Sequence, residues 1–517
     1  MKEHRKNVLG VVVLLVVLLA GLGGHARCAA AGTKLTILHY TDFHGALLSE
    51  DTDRETGRPI GGAVALAACV RAERETAGEE VILLDSGDLM QGSAISNLSR
   101  GQAVIAFMNE IGVDACALGN HDFDWGIAVL RDRMKQAGFP FLSANIFLGK
   151  KLVRPEWARP YAVIQKGKLK VGAIGVTTTD TPFVSNPKNL KGLRFDDPEG
   201  IVNALAAALR KEGVQVVIVV AHVGGAQEED GTVVGPIADF TARLKGVDAV
   251  LGGHSHTVVC GTVGGIPVMI PASNGRRLGV MRLDFDASSG RTSLVDQKTK
   301  LIFADGAEAE TAVTALVQSY QRKFSKEMER VVAVASVKIP TDRKESPLGN
   351  LMSDVMRQAV GAKIAFQNSG GIRADMEKGP ITVAHVFKII PFDNTIVTMQ
   401  LTGEQVKQVL EQGTSRSSVT QVSGIRYTYD PREPAGQRIK HVELEDGTPI
   451  SPKKLYLIAT NDYMASGGDR FEVFKHGKGI RNSQILVRDA IIVWMERIHK
   501  AGKQVTPPAT GRAREVQ

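Results

Sequence analysis

The chain has 517 residues, of which 43% are hydrophobic and 23% are charged, and its formal net charge is +8 at pH 7. This length exceeds what one hydrophobic core usually supports, so two domains are expected. The composition is that of an ordinary globular protein. Because no long Lys/Arg block accompanies the positive charge, the charge favours weak attraction of small anionic substrates over binding of a nucleic-acid polymer.

The N-terminus has the pattern of a targeting segment. Lys2, Arg5 and Lys6 precede an apolar run over residues 8–20, and small residues follow at 29–31. The run is shorter than the 18 or more apolar residues of a transmembrane helix, which leaves an uncleaved anchor as the less favoured alternative. We therefore predict a signal peptide over residues 1–31, a periplasmic or extracellular protein, and no stable membrane span after cleavage.

Three cysteines follow this segment, at Cys69, Cys116 and Cys260. An odd number leaves at least one thiol unpaired within the chain. Cys116 lies inside an apolar strand, so we expect it to be buried and inert. The spacing of the three is not that of a structural zinc site.

Five segments of the first half repeat one pattern: an apolar strand, a Gly or polar turn, and then Asp, Asn or His. In open α/β sheets the functional site gathers at the carboxyl ends of the strands, so these polar residues are expected to meet. Five of the twelve histidines lie in these places. The predicted strands are residues 35–40, 81–84, 115–118, 214–220 and 249–251.

The polar residues at these strand ends form a set with the chemistry of metal ligands. Mixed imidazole and carboxylate ligands suit Zn, Mn, Fe or Co better than Ca. Seven ligands are too many for one ion and about right for two, which a carboxylate can bridge. The expected ligands are Asp42, His44, Asp88, Asn120, His222, His254 and His256.

Charge indicates the reaction that such a site would perform. Two divalent ions bring four positive charges, and Asp42 and Asp88 return only two. The resulting net positive site suits a phosphate dianion, which predicts metal-assisted hydrolysis of a phosphate ester.

The second half has a different organisation. Residues 305–326 predict a helix that joins two domains. Ser346 with Pro347, and Thr402 with Gln405, are typical of helix N-termini. Further strands are predicted at residues 363–366, 395–401 and 455–459. The predicted parts are a signal peptide (1–31), a first domain (32–304), a linker helix (305–330), a second domain (331–505) and a disordered tail (506–517).

The strand-end motifs match a known family in order. Asp42-x-His44, Gly87-Asp88, Gly119-Asn120-His121-Asp122, His222 and Gly253-His254-x-His256 resemble those of calcineurin-like dinuclear metallophosphoesterases. With residues 368–373 and 467–469, the chain resembles the secreted bacterial 5′-nucleotidase family, which includes UDP-sugar hydrolases and 2′,3′-cyclic phosphodiesterases. The resemblance implies an N-terminal α/β sandwich joined by a linker helix to a smaller α+β nucleotide-recognition domain.

The resemblance also implies a role for each site residue. Asp42, His44, Asp88 and His256 would hold one of two divalent ions (Zn, Mn or Co), and Asp88, Asn120, His222 and His254 the other. His121 would donate to the phosphate oxygens, and Asp124 would orient it. For Asp122 the sequence itself favours a turn residue. The implied substrate-binding residues are Asn368, Gly370 and Arg373 in a glycine-rich loop, Phe392 and Tyr463 around the base, Asp469 at the ribose, and Arg343. The second domain would rotate between open and closed states about the linker helix.

Two other functions stay open at this point. A thiosulfohydrolase of sulfur oxidation resembles these enzymes, but a small inorganic leaving group needs no pair of aromatic rings such as Phe392 and Tyr463. A non-catalytic binding protein would not need the full ligand set. The preferred nucleotide, the metal, cleavage of cyclic or sugar nucleotides, and the oligomeric state are not determined by the sequence.

Overall fold

A computed structural model describes residues 32–77, 80–150, 153–306, 311–415 and 417–516. The expected signal peptide lies outside these residues. Among the residues described, no helix has the length and hydrophobicity needed to cross a membrane. Cys69, Cys116 and Cys260 are all free thiols, and Cys116 is buried as expected.

The first domain contains two six-stranded mixed sheets. In chain order its strands are β1 (Thr33–Tyr40), β2 (Asp51–Thr52), β3 (Pro59–Ile60), β4 (Val81–Asp85), β5 (Ala115–Ala117), β6 (Phe141–Leu142), β7 (Ile146–Leu148), β8 (Tyr161–Lys166), β9 (Leu169–Thr177), β10 (Leu193–Phe195), β11 (Val216–His222), β12 (Ala226–Gln227), β13 (Val233–Val234), β14 (Ala249–Leu251), β15 (Val258–Val263), β16 (Ile266–Pro271), β17 (Arg277–Asp286) and β18 (Arg291–Leu301). One sheet has the order β18-β17-β1-β4-β5-β6 and the other β15-β16-β14-β11-β9-β8.

Helices cover the outer faces of both sheets. They are α1 (Ala63–Ala77), α2 (Ala94–Ser99), α3 (Gln102–Glu110), α4 (Gly126–Gln136), α5 (Thr181–Val184), α6 (Glu199–Lys211) and α7 (Pro236–Thr241), with 3₁₀ turns at His121–Phe123 and Pro187–Leu190. Strand β11 shows why the layers form. Val216 and Ile218 point into the core between the sheets, while Val217 and Val219 pack under α6 and α7. Side chains alternate between the faces of a strand, so a continuous β-branched run is buried on both sides.

The predicted linker helix is observed as α8 (Thr311–Met328). It is not a free connector, because Val313, Val317 and Met328 are buried in a cluster that also contains residues of both domains. The helix therefore packs as part of the core that joins the domains.

The second domain is an α+β unit. Its strands are β19 (Val331–Ala335), β20 (Ile364–Gln367), β21 (Gly379–Thr382), β22 (Thr395–Thr402), β23 (Gln421–Ser423), β24 (Ile425–Tyr429), β25 (Ile439–Leu444), β26 (Leu455–Asn461), β27 (Lys478–Leu486) and β28 (Ala513–Glu515). Its helices are α9 (Pro347–Ala359), α10 (Val383–Ile389), α11 (Gly403–Gly413), α12 (Asp462–Ala465) and α13 (Val487–Lys500), with 3₁₀ turns at Ser369–Gly371, Gly468–Arg470 and Glu472–His476. The main sheet has the order β23-β20-β26-β22-β27.

Both helix starts predicted in this domain are confirmed. The Ser346 side chain accepts a hydrogen bond from the Gly349 N–H, and Pro347 is the first residue of α9. Thr402 and Gln405 form a reciprocal capping box at the start of α11. Each cap satisfies backbone donors that the helix itself leaves unpaired.

The prediction of a disordered tail is wrong for residues 506–516. Strand β28 pairs in parallel with β24. The Arg512 guanidinium binds both carboxylate oxygens of Asp354 at 2.7 and 2.8 Å and donates to the Val422 carbonyl. The Glu345 carboxylate accepts backbone N–H groups of the tail. Charge-assisted bonds to residues distant in sequence thus order a segment whose polar composition indicated disorder.

Replacing Arg512 should destabilise the second domain. Arg512→Met removes the charged partner of the mostly buried Asp354 carboxylate, which keeps only the Ser423 hydroxyl as a donor, and removes a donor to the Val422 carbonyl. We expect a loss of about 2 kcal/mol of unfolding free energy. Urea unfolding measures it, with Arg514→Met as the matched control because Arg514 lies exposed two residues later in the same tail. Equal stability of the two variants would contradict this structural role for the tail.

Candidate dinuclear metal centre

The seven expected ligands meet at one edge of the first domain, where parallel strands end. Asp42 and His44 follow β1, Asp88 follows β4, and Asn120 follows β5. His222 is the last residue of β11, and His254 and His256 follow β14. Neighbouring parallel strands direct their carboxyl ends to the same edge of a sheet, which is why residues up to 214 positions apart become neighbours.

The backbone at these positions is strained. Five of the seven residues have φ between 48° and 71°, in the left-handed region that side chains other than glycine rarely adopt. They are Asp42, His44, Asp88, His254 and His256. Such strain persists only where the surrounding structure enforces it, and it is typical of functional sites.

The side chains form two adjoining clusters, each of which could hold a metal ion. Asp42, His44 and His256 form the first, and Asp88, His222 and His254 the second. In the first, His256 Nε2 lies 3.3 Å from Asp42 Oδ1 and 3.1 Å from His44 Nε2. These are the mixed donors that suit Zn, Mn or Co.

The second cluster includes the predicted carboxamide ligand. His222 Nε2 lies 3.2 Å from His254 Nδ1 and 3.1 Å from Asn120 Oδ1. Asp88 Oδ2 lies 3.2 Å from His222 Nε2 and 3.9 Å from His44 Nε2. Asp88 therefore stands between the clusters, in the position expected of a bridging carboxylate.

Two histidines are oriented from behind by backbone carbonyls. His44 Nδ1 donates to the Gln91 carbonyl at 2.8 Å, and His222 Nδ1 donates to the Ser86 carbonyl at 2.8 Å. Each bond fixes the ring and directs Nε2 toward the clusters, where this nitrogen would bind a metal ion. This donor arrangement fits a dinuclear metal site.

The pKa values of three cluster histidines are consistent with binding of a cation. Burial lowers the pKa of His44 to about 3 and that of His254 to about 4, so both rings are neutral. Burial opposes a charge on His222 as well, but the Asp88 and Asp42 carboxylates raise its pKa to about 10. Positive charge is thus favoured at His222 Nε2, where a metal ion would take the place of the proton.

Two glycines allow the ligand loops to approach closely. A Cβ at Gly119 would lie 2.3 Å from the Asp88 nitrogen, and one at Gly253 would lie 2.3 Å from Thr41 Oγ1. Both distances are shorter than van der Waals contact. The glycines that precede Asn120 and His254 are therefore required by packing, which explains part of the strand-end pattern in the sequence.

Asp122 has a larger structural role than that of a turn residue. Its buried carboxylate accepts the N–H groups of Asp88, Leu89 and Gly119 at 2.9–3.2 Å. Burial, together with the nearby Asp88 charge, raises the pKa of Asp122 to about 7. Asp122 holds the loop after β4 against the loop after β5.

His121 lies beside the clusters but outside them. Its Nδ1 lies 2.7 Å from Asp124 Oδ2, and its backbone N–H donates to Asp88 Oδ1 at 2.7 Å. The Asp124 charge raises the pKa of His121 in spite of burial. The Nδ1 bond leaves Nε2 available to donate a proton.

The second domain closes over this edge and forms a cavity of about 510 Å³. The cavity is lined by members of both metal clusters, by His121 and Asp124, and by every predicted substrate-binding residue: Arg343, Asn368, Gly370, Arg373, Phe392, Tyr463 and Asp469. One cavity thus contains all the classes of site residue that the sequence indicated.

The predicted recognition residues also contact one another. Asn368 Nδ2 donates to Asp469 Oδ2 at 2.9 Å, and the Tyr463 hydroxyl lies 2.7 Å from Asp469 Oδ1. The Phe392 ring stacks on His121 with 5.4 Å between centroids, and the Arg373 guanidinium lies 6.0 Å from the Phe392 ring. Phe392 and Tyr463 are both only partly buried.

Sequence reasoning missed one part of the cavity wall. Residues 184–186, 188 and 189 line it, in a segment that contains α5 and the Pro187–Leu190 turn. This segment follows β9, a parallel strand that was not predicted. The same rule of polar residues after an apolar strand would have indicated it, since Thr177 ends that strand and Thr178 and Asp180 follow it.

Comparisons with known proteins agree with this geometry. Residues 35–258 match the calcineurin-like phosphoesterase family, and residues 331–476 match the 5′-nucleotidase C-terminal domain. The chain is 30% identical to the snake venom 5′-nucleotidase of Naja atra, over 93% of this chain and 98% of that protein. It is 28% identical to the trifunctional nucleotide phosphoesterase YfkN of Bacillus subtilis, of which it spans only 35%.

Solved structures show the same relationship. A 5′-nucleotidase precursor of Thermus thermophilus has a TM-score of 0.81 and 31% identity, covering 94% of this chain and all of that one. The sulfate thiohydrolase SoxB of the same organism has a TM-score of 0.73 at 20% identity, covering 93% and 96%, which is a likeness of fold alone. The chain belongs to the 5′-nucleotidase family of calcineurin-like metallophosphoesterases, which are metal-dependent phosphoester hydrolases.

Proposed function

We propose that the chain releases phosphate from nucleoside 5′-monophosphates at a dinuclear metal centre. The observation that carries the proposal is the single cavity in which both metal clusters face the recognition residues of the second domain. A nucleotide has two chemically distinct ends, and this cavity offers candidate metal ligands for a phosphate and aromatic rings for a base.

Asp42, His44, Asp88 and His256 would hold one metal ion, and Asp88, Asn120, His222 and His254 the other. When bound, two divalent ions would supply Lewis-acid stabilisation of charge on the phosphoryl oxygens. We propose that the metal is Zn, Mn or Co.

His121 would donate from Nε2 to the phosphoryl group as negative charge builds during the reaction. Asp124 holds the ring through Nδ1 and favours its protonated form. Arg373, whose guanidinium lines the same cavity, would add a second donor to the phosphate. Donors that are already oriented before the reaction stabilise the transition state more than mobile ones.

Phe392 and Tyr463 would stack on the base, and Asp469 would bind the ribose hydroxyls. The Asp469 carboxylate is held by Asn368 and Tyr463, so it is already oriented toward a ligand in the cavity. Gly370 and Arg343 would complete the lining. Cleavage of UDP-sugars or 2′,3′-cyclic nucleotides is an extension of this substrate class that the family resemblance suggests.

The alternative thiosulfohydrolase function has weaker support. SoxB shares the fold, but a fold hosts many reactions. Two partly buried aromatic residues in the cavity favour a nucleoside over a small inorganic group.

We also propose that the protein acts after export, in the periplasm or outside the cell, on the basis of the charged and apolar pattern of residues 1–31.

Loss of Asp88 should remove both metal binding and activity. Asp88→Ala deletes the proposed bridge, so bound metal should fall below two ions per chain and release of phosphate from AMP should be abolished. Asp88→Asn keeps an acceptor for the His121 N–H and tests the charge alone. Metal analysis and phosphate release measure the outcome, with the exposed Asp239→Asn as control. Near-normal turnover by Asp88→Ala would exclude the dinuclear mechanism.

Loss of His121 should separate metal binding from turnover. His121→Ala should lower kcat by roughly 10²–10³-fold, as for one deleted transition-state donor. The metal content should stay unchanged, because the imidazole is outside both clusters. His441→Ala, at an exposed histidine, is the control. A loss of metal in proportion to activity would instead identify His121 as a ligand.

Loss of Phe392 should affect nucleotides and not simple phosphate esters. Base–aromatic stacking is worth roughly 1–3 kcal/mol, so Phe392→Ala should weaken AMP binding by about 5- to 150-fold. Binding of glycerol phosphate, which has no base, should change little. The matched control is Phe303→Ala, since Phe303 is also partly buried and lies under a guanidinium group, that of Arg58.

The two substrates also distinguish base stacking from support of His121. A ring that only held the His121 imidazole in place would affect AMP and glycerol phosphate equally, because both need the same phosphoryl donor. Equal losses on both substrates would therefore contradict the base-binding role of Phe392.

A further inference from the structure

One buried carboxylate connects three parts of the cavity wall. Asp462 is the first residue of α12 and is 4% exposed. Its Oδ1 accepts the Thr395 N–H at 3.1 Å. Its Oδ2 accepts from Asn186 Nδ2 at 3.1 Å and forms an ion pair with the Lys188 ammonium group.

The three partners lie where the nucleotide site needs fixed geometry. Thr395 comes three residues after Phe392, and Asp462 immediately precedes Tyr463, so the carboxylate ties together the segments that carry the two proposed base-stacking rings. Asn186 and Lys188 belong to the first domain and line the cavity. The carboxylate therefore fixes both rings relative to the domain that holds the metal ligands.

Further contacts near Asp462 also connect the first domain to the second. The Tyr463 hydroxyl lies 2.6 Å from the Phe183 carbonyl of the first domain. Arg470 lies 3.4 Å from Asp180 Oδ1, and its guanidinium stacks over the Phe183 ring at 5.1 Å. The segment of residues 180–188 thus contacts the recognition segment of residues 462–470 through several polar groups.

We propose that Asp462 and Lys188 are a positioning pair that sets nucleotide affinity by holding the base-stacking segments over the metal centre. This inference rests on the proposed nucleotidase function. A buried carboxylate is costly without a compensating charge, and in the second domain alone Asp462 has one backbone donor, from Thr395. Lys188 supplies the compensating charge only when the two domains meet as they do here. The pair therefore stabilises this arrangement and not the fold of either domain.

The test compares Lys188→Met with the wild type on two substrates. We expect KM for AMP to rise about tenfold, a difference of about 1.4 kcal/mol in binding free energy. The change in kcat should be smaller, and KM for glycerol phosphate should change much less, because it has no base to be positioned. Lys188→Arg should restore most of the affinity. Metal content and melting temperature should stay normal.

A double-mutant cycle separates positioning from direct contact with the substrate. If Lys188 acts through Asp462, then Lys188→Met should have little further effect in the Asp462→Asn background. If Lys188 instead binds the nucleotide directly, the two effects will add, and the inference is overturned. Lys135→Met is the matched control, since Lys135 forms an exposed ion pair with Asp132 within one helix of the same domain.

The outcomes also distinguish this inference from the proposed function. Failure of the wild-type, metal-loaded protein to release phosphate from AMP would overturn the nucleotidase proposal. Normal AMP hydrolysis by the wild type with an unchanged KM in Lys188→Met would leave the function in place and overturn the positioning role alone.

Discussion

Both candidate metal clusters depend on the position of the Asp88 carboxylate. One oxygen accepts the His121 N–H, and the other lies between His222 and His44. The Asp88 backbone is held in turn by Asp122, which also binds the loop after β5. A single residue thus fixes the spacing of the two clusters and the position of the proposed phosphoryl donor. Small movements of this loop would alter metal binding and catalysis together.

These candidate ligands need a rigid support, because their backbone conformations are energetically unfavourable. Left-handed conformations at residues other than glycine cost of order 1–3 kcal/mol each, and five ligand residues adopt them. The support is the pair of sheets below the site, whose facing side chains are almost completely buried. Helices cover the outer faces of both sheets, so the strand ends have little freedom to relax. The fold therefore enforces the conformation of these residues.

Features of the structure that depend on short local sequence patterns were predicted from the sequence. Apolar strands that end in Gly and a polar residue predicted that the residues of the two candidate metal clusters would lie together, and Ser346 and Thr402 predicted helix starts. It did not predict features that depend on distant partners. The tail is ordered by Arg512 and Asp354, which are 158 residues apart, and nothing near either residue indicates the pairing. Asp122 looked like an ordinary turn residue because its three N–H partners come from two separate loops.

The candidate catalytic residues and the candidate base-binding residues lie in different domains. The fold alone therefore does not determine the substrate. The candidate metal ligands and His121 lie in the first domain, and in the proposed mechanism they would act on any phosphate monoester that reaches them. Phe392 and Tyr463 lie in the second domain and line the same cavity as the first-domain groups. A likeness of fold to SoxB is consistent with this division, since the same scaffold can present another leaving group to a similar centre. Under the proposed function, selection of a nucleotide would depend on the contacts that position the second domain against the first, and residues outside the metal-binding motifs, such as Lys188 and Asp462, form these contacts.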